Sequence, residues 1–245
     1  ADENKTKLHF TSPNLIDELW IDKPKRKYSV IFNHPLNYAG IDASNKVDQF
    51  VKELKSNNLD SYFLSSLDSI AWLLNIRADD ILHTPLAFSY LFISVENKPI
   101  LYLSIEKLNT DLKNRLSNFL NLQPIEEIEN IFENLTKKLK VGFDYKNTSY
   151  FFYNLALGND LVPSNLQNPC LMPKATKNET ELEGSRKAHL RDGVSITKFL
   201  YWLKNHQSVE EENEISVANK LLSFRESNEL FHSVSFDSIS AIGKN

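Results

Sequence analysis

The densest set of chemically versatile side chains lies between residues 77 and 83, where Arg77, Asp79, Asp80 and His83 share one short stretch. A guanidinium, two carboxylates and an imidazole held so closely can do one of two things. They can form an ion pair that fixes a loop, or they can present polar groups to a neighbouring domain. The plainer reading is an Arg77–Asp80 pair that holds the loop. Elsewhere the sequence offers little for catalysis. Its histidines, at positions 9, 34, 83, 189, 206 and 232, never take the i, i+4 spacing with which an H-E-x-x-H helix grips zinc. It contains no G-x-S-x-G elbow to expose a nucleophilic serine and no glycine-rich phosphate loop, and with 6 glycines such loops would be hard to build. The single cysteine, Cys170, excludes an internal disulfide framework and any cysteine-based zinc site. His189, on an otherwise apolar helical face, reads as a hydrogen-bonded core histidine, and Glu210, Glu211 and Glu212 as a solvated helix start. The aromatic group Tyr150, Phe151, Phe152 and Tyr153 reads mainly as core packing.

The 77–83 loop lies between a short helix and a buried strand. Ser65 and Asp68 have the S-x-x-D spacing that predicts a helix start, and Ile70, Leu73 and Leu74 give that short helix one apolar side. Asn75 marks its expected end. His83-Thr84-Pro85 then turns the chain into residues 88–95, rich in aromatic and β-branched side chains as a buried strand would be. Upstream, Ser44 precedes an amphipathic helix carrying Val47, Phe50, Val51 and Leu54, followed by a strand over 59–64. Downstream, residues 99–103 form a hairpin with the preceding strand. One helical face then runs through Ile105, Leu108, Leu112, Leu116 and Phe119, and another through Ile128, Ile131, Phe132, Leu135 and Leu139. A strand over 140–145 and a helix capped by Thr148 or Ser149 complete an α/β layer. Pro163, Pro169 and Pro173 make residues 162–173 a linker or an edge segment. Asn178, with Glu181 three residues on, opens a long helix to about Asn205. Its expected buried stripe is Leu182, His189, Gly193, Ile196, Leu200 and Leu203, with Gly193 allowing another backbone to come close. A second helix runs from after Ser208 to about Ser227.

The 245-residue chain is long enough to bury a substantial core in one or two domains. With 41% hydrophobic and 24% charged residues its composition is that of an ordinary globular protein. A net charge of −4 gives no basic field for nucleic acid or an anionic membrane surface. No apolar run approaches the roughly 20 residues needed to span a bilayer, and the polar residues 1–10 lack the apolar centre of a signal peptide. The cytoplasm is the expected compartment.

Four stretches together resemble the three-domain Xaa-Pro aminopeptidases of the creatinase and pita-bread metallopeptidase family. Ile70, Ala71, Trp72, Leu73, Asn75, Arg77 and Asp80, then His83 and Pro85, then Phe88, Ser89 and Tyr90 match the IAWLxNxRxxD, HxP and FSY order of that family's middle domain. Residues 14–26, NLIDELWIDKPKR, are similar to the passage from its first domain into its second. Lys174, Lys177, Asn178, Glu181, Glu183, Gly184, Arg186, Ala188 and His189, with Asp192-Gly193-Val194, are similar to the opening of its catalytic domain. Glu214-Ile215, Phe224-Arg225 and the SFDSIS run at 235–240 continue the likeness.

The resemblance implies a fold class and a division of the chain. Residues 1–25 would be a linker or the tail of a first domain. Residues 26–172 would be a creatinase-like middle domain, a mixed sheet flanked by helices, and 173–245 the first helices of a truncated pita-bread catalytic domain. The implied parent activity is removal of an N-terminal residue preceding proline by two divalent metals, commonly manganese, that activate a bridging water. In the family the metal ligands follow the segment that ends this chain, so no catalytic or metal-ligating residue is assigned and the chain alone is expected to be inactive. Arg77, Asp80 and His83 then acquire a second reading, as residues on the rim of a peptide cleft. The expected partners are peptides with proline in second position. Self-association into a homo-oligomer is also expected, because a truncated catalytic domain exposes apolar surface along Ile196, Leu200 and Leu203. A non-catalytic peptide- or protein-binding module derived from the same fold is the alternative.

Overall fold

In the computed structural model, residues 14–24 and 26–241 are described, apart from the Val209 side chain. The expectations for residues 1–13, Lys25 and 242–245, including the polar start of the chain, lie outside the described residues.

The chain begins with a short helix α1 (Leu15–Leu19) capped by the Asn14 side chain, then a two-residue strand β1 (Phe32–Asn33) and a helical turn α2 (Leu36–Ala39). Helix α3 (Ala43–Ser56) is capped by Asp42 and takes in Ser44, the residue expected to precede it, because the Asp42 carboxylate accepts the Ser44 N–H at 2.9 Å. Strand β2 (Ser61–Leu64) leads into α4 (Leu67–Leu74), β3 (Ile76–Arg77), β4 (Tyr90–Ser94) and β5 (Ile100–Leu103). Helix α5 (Thr110–Ser117), β6 (Asn121–Pro124), β7 (Lys140–Phe143), α6 (Tyr150–Gly158) and β8 (Val162–Asn165) follow. The last elements are all helical: α7 (Leu171–Ala175), α8 (Glu179–Asn205) and α9 (Glu214–Glu226).

Six strands form one mixed sheet in the order β6-β5-β4-β2-β7-β8. β2, β4 and β5 are antiparallel neighbours, while the β5–β6, β2–β7 and β7–β8 pairs are parallel. Because alternate side chains point to opposite faces, each central strand feeds two cores. Tyr62, Leu64, Leu91, Ile93, Leu101 and Leu103 pack under α3, α4 and α5. Phe63, Phe92 and Tyr102 face the other way, onto Phe132, Phe143 and Phe152. The mixed α/β layer expected from the sequence is thus observed.

Several expected elements differ in instructive ways. The helix read through 105–119 is interrupted, since the Asn109 carboxamide accepts the Leu112 N–H at 2.8 Å and so starts α5 afresh after an isolated turn at Ile105–Lys107. The helix read through 128–139 is a 3₁₀ segment at Ile125–Asn130 followed by turns. There Lys138 takes a left-handed conformation and donates its N–H to the Asp160 carbonyl at 2.8 Å, tying the segment to another part of the chain. α4 begins at Leu67 with Ser66 as its cap and no side-chain capping bond, and Asp68 instead pairs with Lys174 on α7. Of the two readings for 162–173 the edge holds over its first residues, where β8 borders β7.

α8 spans the range read from the sequence, and its predicted capping box forms, with Asn178 and Glu181 each bonding the other's backbone N–H at 3.0 Å. Its predicted stripe is not buried. Ser195 is the one buried residue in the helix, His189 is exposed with its ring nitrogen on the Ser185 carbonyl, and a Cβ at Gly193 would meet open space. The face of α8 that finds a partner is a different one, through Asp192 and Ser195 onto α9. Glu210 and Glu211 are exposed as expected, whereas Glu212 lies 3.1 Å from His206. Of the aromatic group on α6, Phe152 is core while Tyr150 and Phe151 are exposed.

Candidate functional site at the 77–83 loop

The loop is placed by the end of α4. Asn75 adopts the left-handed conformation that terminates the helix, and its buried carboxamide donates to the Ile41 carbonyl at 2.9 Å while accepting from Lys46 Nζ at 2.8 Å. Lys46 also donates to the Trp72 carbonyl at 2.8 Å and stands 4.3 Å over the Trp72 ring. Burial pulls its ammonium down to about 8, with Glu181 acting in the opposite direction. The Trp72 indole N–H in turn donates to Glu181 Oε1 at 3.3 Å, and Asn178 donates to the Ala39 carbonyl at 2.9 Å. The capping box that starts α8 is therefore also the group that seats α8 on the α/β layer. Gly40 makes this possible: it sits at φ +72, and a Cβ there would fall 2.5 Å from Asn178 Oδ1. His34 lies in the same neighbourhood, its N–H bonded to the Asn75 carbonyl at 2.8 Å. Burial, then the Arg77 and Lys46 charges, hold its imidazole down to about 4.

Beyond Asn75 the expected Arg77–Asp80 ion pair is replaced by two separate sets of bonds. Arg77 folds back on α4, with Nη1 donating to the Ala71 carbonyl at 2.9 Å and to its neighbour Ile76 at 2.8 Å. Asp80 accepts the Ser29 N–H at 2.6 Å, the Ser29 hydroxyl at 2.8 Å and the Phe88 N–H at 2.9 Å. The guanidinium satisfies carbonyls at a helix end, and the carboxylate satisfies the amides of Ser29 and Phe88; each group ties the loop to a different part of the chain.

His83 does neither. Held at φ 63, it reaches the irregular segment after α9, placing Nδ1 3.2 Å from the Val234 carbonyl oxygen and Nε2 3.1 Å from Asp237 Oδ1. A second contact runs in the opposite sense: His232 Nε2 lies 2.9 Å from Asp79 Oδ1, with the His232 ring 5.8 Å from that of Phe32. Residues 228–241 thus form a strap over the loop. The two contacts, each pairing a histidine with an aspartate, escaped the sequence reading because their partners are more than 150 positions apart. Behind the strap a cavity of about 170 Å³ opens between α8 and α9, lined by Asp192, Ser195, Arg225, Leu230 and His232. Arg225 and Asp192 close its floor with a bidentate pair at 2.7 and 3.3 Å.

Among the described residues no group of three or more histidine, cysteine, aspartate or glutamate side chains is arranged to hold a metal ion. The two histidine–aspartate contacts stand apart and do not converge on one point. The described residues do not fit a di-nuclear metal centre.

Residues 22–181 match the model of the creatinase/prolidase N-terminal domain. The chain belongs to that family. Two curated relatives, each named a probable Xaa-Pro aminopeptidase P, are 34% identical over 252 residues in Penicillium rubens and 33% identical over 245 residues in Leptosphaeria maculans. The matches take in 99% and 95% of this chain but 41% and 40% of the relatives, so the chain spans about two fifths of their length. Among solved structures, the X-prolyl aminopeptidase of Caenorhabditis elegans, described as a cytosolic enzyme with a di-nuclear active site, superposes with a TM-score of 0.84. It is 28% identical, over 93% of this chain and 38% of its own. The Xaa-Pro dipeptidase of Bacillus anthracis superposes at 0.54 with 14% identity, a likeness of fold. The family read from the IAWLxNxRxxD, HxP and FSY residues is borne out. Among the described residues no helix is long and apolar enough to cross a membrane.

Proposed function

We propose that this chain acts within a longer Xaa-Pro aminopeptidase, a hydrolase that removes the N-terminal residue preceding proline. Residues 26–172 serve as its middle domain and the helices from 173 onward as the opening of its catalytic domain. The observation that carries this reading is the single superposition, at a TM-score of 0.84 over 93% of the chain, that takes in the α/β layer and the helical hairpin together on an X-prolyl aminopeptidase. The substrates are peptides with proline in second position, and the compartment is the cytoplasm. The two divalent cations, manganese on this reading, are held elsewhere in the longer protein, and the present chain neither holds them nor turns over substrate.

The 77–83 loop forms part of the cleft rim. Arg77 and Asp80 contribute by shaping it, since their charged groups are spent on backbone partners; His83 is the residue on its outer side. The test compares this chain with a protein extended through the remainder of the homologous length. Both are assayed for bound manganese by metal analysis and for release of the first residue from a Xaa-Pro-Xaa peptide. Turnover by the extended protein, with neither metal nor turnover in this chain, is the expected result. Stoichiometric manganese with turnover in the present chain would overturn the proposed division of labour, and an extended protein that binds manganese but releases nothing would overturn the activity.

A further inference from the structure

The two contacts that hold the strap differ in one chemical respect. His232 uses one ring nitrogen, Nε2 at 2.9 Å from the Asp79 carboxylate, and a neutral imidazole with its proton on Nε2 satisfies that bond. His83 uses both. Its Nδ1 faces a carbonyl oxygen, which only accepts, and its Nε2 faces a carboxylate, which when ionised also only accepts. One proton cannot serve both partners. The imidazolium donates twice, whereas either neutral tautomer leaves an oxygen facing an unprotonated nitrogen lone pair. The backbone at His83 is left-handed, a conformation disfavoured for a residue bearing a Cβ and kept where its contacts repay it.

We infer that the strap is a pH-gated clasp: residues 232–237 close on the 77–83 loop when His83 carries both ring protons, and loosen at that end when it loses one. The charged and titratable groups around the clasp fit this division. Asp237, on the strap, faces His83 with its side chain 90% exposed. Asp79, on the loop, faces His232. Asp80 is occupied by Ser29 and Phe88, and Arg77 by the end of α4, so neither competes for His83. Arg225, lining the cavity behind His232, is engaged by Asp192. The His232 end acts as the hinge and the His83 end as the latch. This inference concerns the present chain alone and stands whether or not the longer protein is an aminopeptidase.

The experiment is a pH titration by NMR of the full chain labelled with ¹⁵N and with ¹³C-histidine, the His83 ring signals being assigned by their loss in His83→Gln. Ring ¹⁵N shifts report whether one or both nitrogens carry a proton, and backbone amide shifts of 232–237 report the strap. Between about pH 5 and pH 8, where imidazoles ordinarily titrate, the strap amides should move with the same midpoint as the His83 ring. Losing one charge-assisted bond should lower the closed-to-open ratio roughly tenfold. His83→Gln, whose carboxamide does not titrate, should abolish the pH dependence of those amides. His232→Gln, in which an amide N–H replaces the single donor, should keep it. Strap amides that stay fixed while the His83 ring titrates would overturn the inference, as would a His83 ring singly protonated at pH 5, or a pH response that survives in His83→Gln.

Discussion

The α/β layer and the helical hairpin of α8 and α9 are built on different terms. In the layer, Phe63 is wholly buried and touches four other rings, those of Tyr90, Phe132, Phe143 and Phe152, with centroids 4.3 to 6.0 Å away. In the hairpin one residue of α8 is buried and none of the described residues of α9. The layer is held by its own apolar side chains, which fill both faces of the sheet. The hairpin is held at polar points: the capping box at its base, the Asp192–Arg225 pair and the Ser195 hydroxyl on the Phe224 carbonyl along its seam, and the strap at its far side. It leaves apolar side chains facing outward. One region carries its stability within itself, and the other is positioned by its neighbours.

The largest expected effect lies in the layer. Phe63→Ala removes a buried ring from the centre of the second core and should cost about 3–5 kcal/mol, the range for truncating a packed aromatic. Urea unfolding followed by circular dichroism would measure it. A loss below about 1 kcal/mol would mean that the ring is not the keystone its contacts indicate, and the contrast with the hairpin would fail.

The seat of the hairpin should give the next effect. Gly40→Ala puts a Cβ against the Asn178 carboxamide at a backbone angle that L side chains rarely adopt, so strain of about 1–3 kcal/mol is expected. The damage should be local to the joint. Trp72, whose indole N–H reaches Glu181, should change its fluorescence, since displacing Asn178 moves the capping box as a unit. Unchanged emission with reduced stability would place the strain in the α2 turn and not at the joint.

The sequence made some of this legible and concealed the rest for physical reasons. Elements whose ends depend on neighbouring residues were readable: Asn178 with Glu181 predicted the start of α8, and Asn75 the end of α4, because capping is decided within a few positions. β6, whose N-L-Q-P residues carry no apolar alternation, was missed, because its backbone bonds to β5 supply what its side chains do not. The stripe of α8 was misplaced for a different reason. Periodicity shows that a helix face is apolar; it does not show that this stretch of chain covers it. At the 77–83 loop, the residues were found but their partners were not. Arg77 and Asp80 look complementary in a linear string, yet backbone carbonyls and amides brought in by α4 and by Ser29 are nearer.

His34 offers a smaller, pH-dependent way to sharpen the comparison, since it sits where the layer meets the hairpin. Its imidazole, held down to about 4 chiefly by burial, binds a proton less readily in the folded chain than in the unfolded one. The unfolded state therefore takes up the extra proton as pH falls from about 6.5 towards 4, and stability is lost across that window. Above it, His34 contributes no slope. Thermal unfolding between pH 7 and pH 4 should show this fall, and His34→Gln should flatten part of it. An identical slope in the variant would assign the acid sensitivity to carboxylates instead.

The smallest effect on folding should come from the outer face of the hairpin, where the effect on association should be clearest. Leu200 is 56% exposed and lies one turn from Ile196, which is 37% exposed, on one face of the helix. Leu200→Glu should alter unfolding by no more than about 0.5 kcal/mol, the range for surface substitutions. That face nonetheless presents apolar side chains to water, which drives association when no partner covers them. Sedimentation of the unaltered chain at rising concentration should reveal oligomers that Leu200→Glu reduces. A chain that remains monomeric at high concentration would show that the apolar groups on α8 are too dispersed to act together, and the hairpin would then need no cover at all. Association that Leu200→Glu leaves untouched would move the contact to another surface, with the exposed Leu15, Ile16 and Leu19 of α1 the next to alter. Because folding is scarcely changed by Leu200→Glu, the two outcomes are separated by where the substitution acts and not by how well the chain folds.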